Sequence, residues 1–186
     1  MYNDPIAAIE LWISSHFFGK YRGTVVANDG DDAKCGRLKV RVPAVLGTVE
    51  VWAMPCVPYA GEKVGFYCLP EPQAGVWVEF EGGDPSYPVW TGCFWASDEL
   101  PPDAKSPAIK ILQTRKAYVE IDADEGTIVA TNEKKAKLTV GDDVKSEAGE
   151  ATHTVGSKGV VSEQGSGKVE VTTSAVKINN DAMQVM

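Results

Sequence analysis

The sequence predicts an all-β chain in which a small barrel precedes a repetitive β extension, and three observations support this. Residues 20–96 contain short segments of alternating apolar and polar residues, and glycine or proline punctuates nearly every gap. No tryptophan, tyrosine or phenylalanine follows Tyr118. Beyond that point apolar and small residues recur at intervals of eight. We expect a helix within residues 1–19, the barrel at 20–96, a linker at 97–108 and the extension at 109–186.

Composition excludes several classes of function. The formal net charge is −8 and no basic stripe is present, so binding of nucleic acid through its phosphates is not expected. The four cysteines are widely spaced and there are only two histidines, which disfavours a zinc site. We expect buried free thiols at Cys35, Cys56, Cys68 and Cys93. No signal peptide or bilayer-spanning run is found, so we expect synthesis in a cytoplasm.

The first element is a predicted helix that begins at Asp4-Pro5 and ends before Gly19. Ile6, Ile9 and Ile13 follow helical spacing, with Trp12 beside them. A helix this short is marginally stable alone, so it must dock on something. It is either a lid over the barrel or a contact with a neighbouring subunit.

The barrel is predicted from five strand-like segments, 20–28, 37–42, 49–54, 75–81 and 89–94. The first ends at Asn28-Asp29-Gly30, a hairpin signal. In the second, Leu38, Val40 and Val42 share one face. The intervening stretch 58–70 is too apolar for a solvated loop, so it is either core or packs against another chain.

The extension is predicted to be a chain of short strands joined by tight turns at glycine or aspartate. Each strand would bury too few side chains to offset the ordering of its backbone, which costs about 1–2 kcal/mol per residue. Three chains around one axis could share a thin core, which predicts a trimeric β-prism. The expected core residues are Ile128, Ala136, Leu138, Val144, Thr152, Val160, Val169, Val171, Val176 and Ile178.

His153 has two interpretations. If Thr152 faces inward with Ile128 and Val144, then His153 lies on the surface by strand alternation, and this is our expectation. In the alternative, three His153 imidazoles meet on the axis and bind a metal ion or an anion.

Other site-like patterns are better explained by turns. The acidic segment 28–32 lacks the carboxylate spacing of a calcium loop, and 165–168 lacks the first glycine and the hydroxyl of a phosphate loop. The acidic groups Asp122, Asp124 and Glu125, and Asp142 with Asp143, suit turn chemistry and solubility. We therefore expect no catalytic residue, no metal site and no cofactor.

Segments 23–26, 36–43, 52–56, 58–61, 64–66, 69–70, 75–85 and 87–92 resemble, in order, the oligosaccharide/oligonucleotide-binding (OB) barrel of the phage baseplate assembly protein V family. The block Gly-Val-Trp-Val-Glu-Phe-Glu-Gly-Gly-Asp-Pro is the most distinctive. The family is related to Vgr-type spikes of type VI secretion. The resemblance implies an intertwined trimeric β-helix needle after the barrel. It also implies core or trimer contacts at Gly36, Pro43, Trp52, Pro55, Pro58, Gly61, Phe66, Pro70, Trp77, Phe80, Gly82, Pro88 and Trp90.

The resemblance further implies a function and partners. The chain is expected to be a non-enzymatic homotrimeric central spike in a virion tail baseplate, below hub proteins, and to contact the host envelope transiently. A His-x-His tip is not present, which favours a separate PAAR-type tip protein at the C-terminal end. The alternatives are a Vgr-type secretion spike, or a trimeric β-helix appendage that binds or degrades polysaccharide.

Overall fold

The computed structural model describes residues 5–180 and 182–185. The chain separates into one unit that ends at Glu99 and a second that begins at Leu100. Among the described residues, no helix has the length and apolar character needed to cross a bilayer. The predicted all-β fold, with one N-terminal helix, a small barrel and a β-rich C-terminal region, is confirmed.

The first unit is built around a closed five-stranded barrel. Its strands follow the order β1-β2-β3-β7-β6, and β1 pairs with β6 to close it. All neighbours are antiparallel except β3 and β7, which are parallel. The strands are β1 Tyr21–Ala27, β2 Leu38–Arg41, β3 Glu50–Pro55, β6 Gly75–Phe80 and β7 Pro88–Phe94. The shorter elements are α1 Pro5–Ser15, α2 Pro43–Leu46, the hairpin strands β4 Ala60–Gly61 and β5 Val64–Gly65, and a 3-10 turn at Glu81–Gly83.

The alternation in the sequence produces the barrel core. The predicted shared face of Leu38, Val40 and Val42 is confirmed, since all three are fully buried. In β6, Val76, Val78 and Phe80 point inward in the same way. Val25, Ala53 and Trp90 complete the buried cluster. A closed barrel leaves no lateral strand edge, which protects so small a core.

Helix α1 has no buried residue, so its interpretation as a lid over the barrel is wrong. Ile6, Ile9, Trp12 and Ile13 are all more than half exposed. Asp4, the predicted first cap residue, lies outside the described residues. Attachment to the barrel comes just after the helix, where the Phe17 N–H donates to the Gly83 carbonyl at 2.7 Å and the Phe17 ring packs on Phe80. Contact of α1 with a neighbouring subunit remains a prediction.

The connection between β1 and β2 is a ten-residue loop rather than a tight turn at Asn28-Asp29-Gly30. The Asp31 carboxylate organises it by accepting hydrogen bonds from the N–H groups of Ala33, Cys35 and Arg37. The Arg37 guanidinium donates to the same carboxylate at 2.7 Å. Burial raises the pKa of Asp31, but the Arg37 and backbone hydrogen bonds outweigh it, so the pKa lies well below its ordinary value.

The four cysteines are free, but the expected burial is wrong because all four are exposed. Cys35, Cys56 and Cys68 lie in irregular segments, and Cys93 is on an outward position of β7. Partial burial, and secondarily the nearby charge of Cys68, raise the pKa of the Cys93 thiol.

The second unit is a ten-stranded antiparallel sheet in which every strand pairs with its sequence neighbour. The hydrogen-bonded ladder therefore lies within one chain, and the intertwining of three chains remains a prediction. No helix or strand occurs between β7 and the sheet. Its strands are β8 Ile109–Gln113, β9 Ala117–Asp122, β10 Thr127–Asn132, β11 Lys137–Val140, β12 Val144–Ala148, β13 Ala151–Gly156, β14 Gly159–Gln164, β15 Gly167–Val171, β16 Val176–Ile178 and β17 Met183–Val185.

The turns of this sheet have the predicted glycine chemistry. Gly149 and Gly165 adopt φ of 61° and 56°, a left-handed conformation that glycine tolerates without steric cost. Gly165-Ser166 joins β14 to β15 as a two-residue hairpin turn, in agreement with the expectation that this segment is not a phosphate loop.

Replacement of Leu38 by alanine should destabilise the barrel by about 2–5 kcal/mol, because the side chain is fully buried and leaves a cavity. Denaturant unfolding followed by tryptophan fluorescence measures this, since all five tryptophans precede residue 100. The adjacent Lys39→Ala removes only a partly exposed ion pair to Glu50 and should cost less than about 1 kcal/mol. Equal losses in the two variants would contradict the assigned core.

Asp31→Asn should lower the thermal stability of the barrel at neutral pH. Because folding lowers the pKa of Asp31, its contribution is fully present above the ordinary value of 3.8 and is lost as the pH falls below it. The difference in melting temperature should therefore be constant between pH 5 and 7 and shrink below about pH 4. Asp32→Asn is the matched control and should change little. If the difference in melting temperature between the natural protein and Asp31→Asn is the same at pH 3 as at pH 7, this explanation is refuted.

Candidate interaction surfaces

The strand register divides the C-terminal sheet into two chemically different faces. Paired residues of antiparallel strands point to the same side, so Ile128, Val140, Val144 and Val155 share one face through consecutive pairings. This apolar face of β9–β17 carries Val119, Ile121, Ile128, Ala130, Leu138, Val140, Val144, Ala148, Ala151, Val155, Val160, Val169, Val171, Val176, Ile178, Met183 and Val185, with polar residues Asn132, Ser146, His153, Ser162 and Gln164.

The apolar face is uncovered in a single chain. Leu138, Val144, Val155 and Val169 each retain 43–44% of their accessible surface. Eight intervals between the nine strands β9–β17 span about 38 Å, and strands of five residues are about 16 Å wide, which gives roughly 600 Å². The largest apolar patch on a typical soluble monomer is about 300–600 Å². A face this large and continuous is typical of a surface that another protein covers.

The opposite, charged face is suited to solvent. It carries Lys137, Lys145, Glu147, Thr152, Thr154, Glu163, Lys168, Glu170 and Lys177. The Lys145 ammonium donates to Glu147 at 2.8 Å and lowers the pKa of that carboxyl. Lys168 lies 3.6 Å from Glu163 and 3.4 Å from Glu170. Alternating signs in paired positions limit repulsion along this face.

The expected positions of Thr152 and His153 are reversed. Thr152 pairs with Glu147 on the charged face, whereas His153 pairs with Ser146 on the apolar face. The positions predicted from the eight-residue repeat are correct only if all turns have the same length. Three residues separate Val140 from Val144, but only two separate Ala148 from Ala151, so the side-chain alternation inverts there. The expectation that Thr152 faces inward with Ile128 and Val144 is therefore wrong, and His153, which is exposed in the single chain, lies on the apolar face.

The other predicted core positions of the extension are placed as follows. Ala136 lies in the turn before β11 and not in a strand. The remaining ones all lie on the apolar face: Ile128, Leu138, Val144, Val160, Val169, Val171, Val176 and Ile178.

The acidic turns are explained by local hydrogen bonds. The Asp122 carboxylate accepts from the N–H groups of Asp124 and Glu125 at 2.9 and 3.1 Å, which confirms its role in the turn. Across residues 5–180 and 182–185, no group of three or more His, Cys, Asp or Glu side chains is arranged to hold a metal ion.

The barrel residues singled out from the sequence fall into three classes of burial. Phe80, Pro88 and Trp90 are buried, and the Trp90 indole donates to the Gly36 carbonyl at 3.3 Å. Gly36, Trp52, Pro55, Pro70 and Trp77 are half-buried. Pro43, Pro58, Gly61, Phe66 and Gly82 are exposed. The half-buried tryptophans each stack with an arginine: Arg37 lies over Trp52 and Arg22 over Trp77.

Most of the apolar stretch 58–70 lies outside the barrel core, although Leu69 packs against that core. It forms the β4–β5 hairpin, in which the Phe66 N–H donates to the Tyr59 carbonyl at 2.9 Å. Phe66 is 53% exposed and Tyr67 is 80% exposed, so the core interpretation is wrong for these rings. They border a groove that also includes Val57, Leu69 and Trp90.

Some residues of the apolar face were not predicted from the sequence. Val119, Ile121, Val140 and Val155 lie on it, although none was among the expected core residues. The two-residue turn between Ala148 and Ala151, which inverts the alternation, would have identified Val155. Val140 follows Leu138 by two residues on one strand, and Val119 and Ile121 precede a four-residue turn. The exposed side chains of α1 carry no sequence signal that distinguishes them from a docked helix.

Comparison with known protein families finds one match, and it covers the barrel. Residues 21–95 match the Type VI secretion system/phage-baseplate injector OB domain. No curated protein sequence matches the chain. The matched segment coincides with the closed barrel from β1 to β7, and the match supports a structural role of the baseplate or spike type. Residues 21–95 of this chain are therefore similar to the injector OB domain of type VI secretion systems and phage baseplates.

Proposed function

We propose that this chain is the homotrimeric central spike of a contractile phage tail baseplate and acts mechanically, not as an enzyme. The observation that carries the proposal is the uncovered apolar face of the ten-stranded sheet, in a chain whose barrel is similar to the injector OB domain. Three copies of that face, turned toward a common axis, would form a prism with the charged faces outward.

The area of the face fits such an interface. About 600 Å² per chain approaches the roughly 800 Å² that each partner contributes to a standard stable interface. The inward side chains are mainly valine, isoleucine and alanine, which suits a shared apolar core inside a narrow prism. The number three follows from the family resemblance, in which barrel and needle are both trimeric.

The proposed needle resists bending because of its strand direction. With strands across the axis, the backbone hydrogen bonds run along it, over a length of about 43 Å. Driven by sheath contraction elsewhere in the particle, this rod would puncture the host envelope. The charged outer face, within a chain of net charge −8, would keep it dissolved before contact.

The proposed partners follow the same arrangement. Hub proteins would hold the barrel end in the virion, and the exposed rings of the β4–β5 hairpin and the apolar side chains of α1 are the surfaces offered to neighbouring chains. A PAAR-type protein would cap the C-terminal end.

A Vgr-type secretion spike is the second candidate, because the matched family covers both kinds of particle. Genes for capsid and tail fibres beside this gene would support the phage tail, and genes for a secretion ATPase would support secretion.

The test is the solution mass of the purified chain, measured by light scattering and sedimentation. We expect three times 20.0 kDa for the natural sequence. Val155→Lys should prevent trimer formation, because the shared core would have to bury three charges at several kcal/mol each. Thr152→Lys, on the same strand but on the charged face between Glu147 and Glu163, should leave the trimer unchanged.

Both positions are on the surface of an isolated sheet, so a single chain should tolerate either lysine. A monomeric natural chain would overturn the proposal. Equal masses for the natural chain and Val155→Lys would show that the apolar face is not the interface.

A further inference from the structure

A polar row crosses the middle of the apolar face. Ser146, His153 and Ser162 are direct partners on the adjacent strands β12, β13 and β14. Each is the central one of three inward positions on its strand, between Val144 and Ala148 in β12, for example. Leu138 and Val169 bound the row on either side.

His153 is the single ionisable side chain on this face among the described residues of β9–β17. Ser146 faces it from β12 and Ser162 from β14, while Ala151 and Val155 flank it on its own strand. No carboxylate on this face could compensate a protonated imidazole. Covering the face would therefore favour neutral His153.

A hydrogen bond within the chain holds one nitrogen of the His153 imidazole. His153 Nδ1 lies 2.8 Å from Ser162 Oγ, a hydrogen bond. Within the described part of the chain, Nε2 has no hydrogen-bond partner. Burial of that nitrogen against valine would leave it without a hydrogen-bond partner, which is unfavourable. Burial against the serine and histidine side chains of other copies would satisfy it.

We propose that the Ser146–His153–Ser162 row specifies the alignment of three copies in the trimer, through hydrogen bonds between chains that require neutral His153. This inference rests on the proposed trimer and identifies what sets its register. A shift by one strand would place one serine of the row against Leu138 and the other against Val169, and a shift by two strands would place the imidazole against one of these apolar residues. Parallel, in-register chains instead place polar groups against polar groups. A single buried polar position that fixes register has precedent in helical coiled coils.

Trimer dissociation of the full chain, measured by sedimentation between pH 5.5 and 7.5, tests the proposal. Imidazole ordinarily gains a proton near pH 6.5. If the trimer accepts only the neutral form, assembly at pH 5.5 is weakened about tenfold for each chain relative to pH 7.5. Carboxylates remain ionised through this range, so they contribute little.

His153→Gln is the matched variant, because it retains a hydrogen-bonding side chain that does not titrate, and His16 remains in both proteins. It should form a trimer whose dissociation does not change between pH 5.5 and 7.5. His153→Val should also lose the pH dependence and should assemble with mixed alignments, detected as a broadened distribution of sedimentation coefficients.

Two outcomes separate this inference from the proposed function. A natural trimer with the same pH profile as His153→Gln would overturn the role of the polar row and leave the spike assignment intact. A natural chain that is monomeric at pH 7.5 would overturn both.

Discussion

The uncovered apolar face of the C-terminal sheet is the constraint on which the rest of the structure depends. A single layer of β-structure has no second layer to bury its apolar side, whereas stable domains pack at least two layers around a core. The barrel satisfies that requirement by closing on itself, with Val25, Leu38 and Val78 enclosed. The sheet of β8–β17 does not, because its charged face and its apolar face are both exposed to their surroundings. In the proposed trimer its stability would be linked to association, whereas the barrel encloses its own core.

The barrel was largely predictable because local alternation and burial agree there. All five predicted strand segments appear as β1, β2, β3, β6 and β7, with ends that differ by at most one residue. Arg37–Val42 shows why: the residues that alternate in the sequence are those that a closed barrel must enclose. The loop at Asp31 was less predictable. The glycine at position 30 favours a tight turn, but the hydrogen bonds from Arg37 and the backbone stabilise a longer loop that no local propensity describes.

The candidate interface was predictable in composition but not in full detail. Regular spacing identified Val144 and Val160 correctly. Two two-residue turns lie between them, and the second inversion of the side-chain alternation cancels the first. The same spacing misplaced Thr152 and His153, because one turn is a residue shorter than its neighbour and inverts the sides of β13. The exposure of some apolar segments in the single chain could not be predicted from the sequence either. The apolar residues of α1 and the rings of Phe66 and Tyr67 have core-like composition, yet they are exposed in the single chain.

The strictly sequential pairing of β8–β17 has a consequence for how such rods change length. Each strand contacts only its predecessor and successor, so removal of two adjacent strands with their turns brings together strands of the same direction as before. Each two-strand deletion or duplication would shorten or lengthen the rod by about 9.6 Å. The apolar and charged faces would stay separate only if each remaining turn still has an odd or an even number of residues as before. Rod length is in this sense a modular property that small in-frame duplications can alter without redesign of a fold, as in other quasi-one-dimensional proteins.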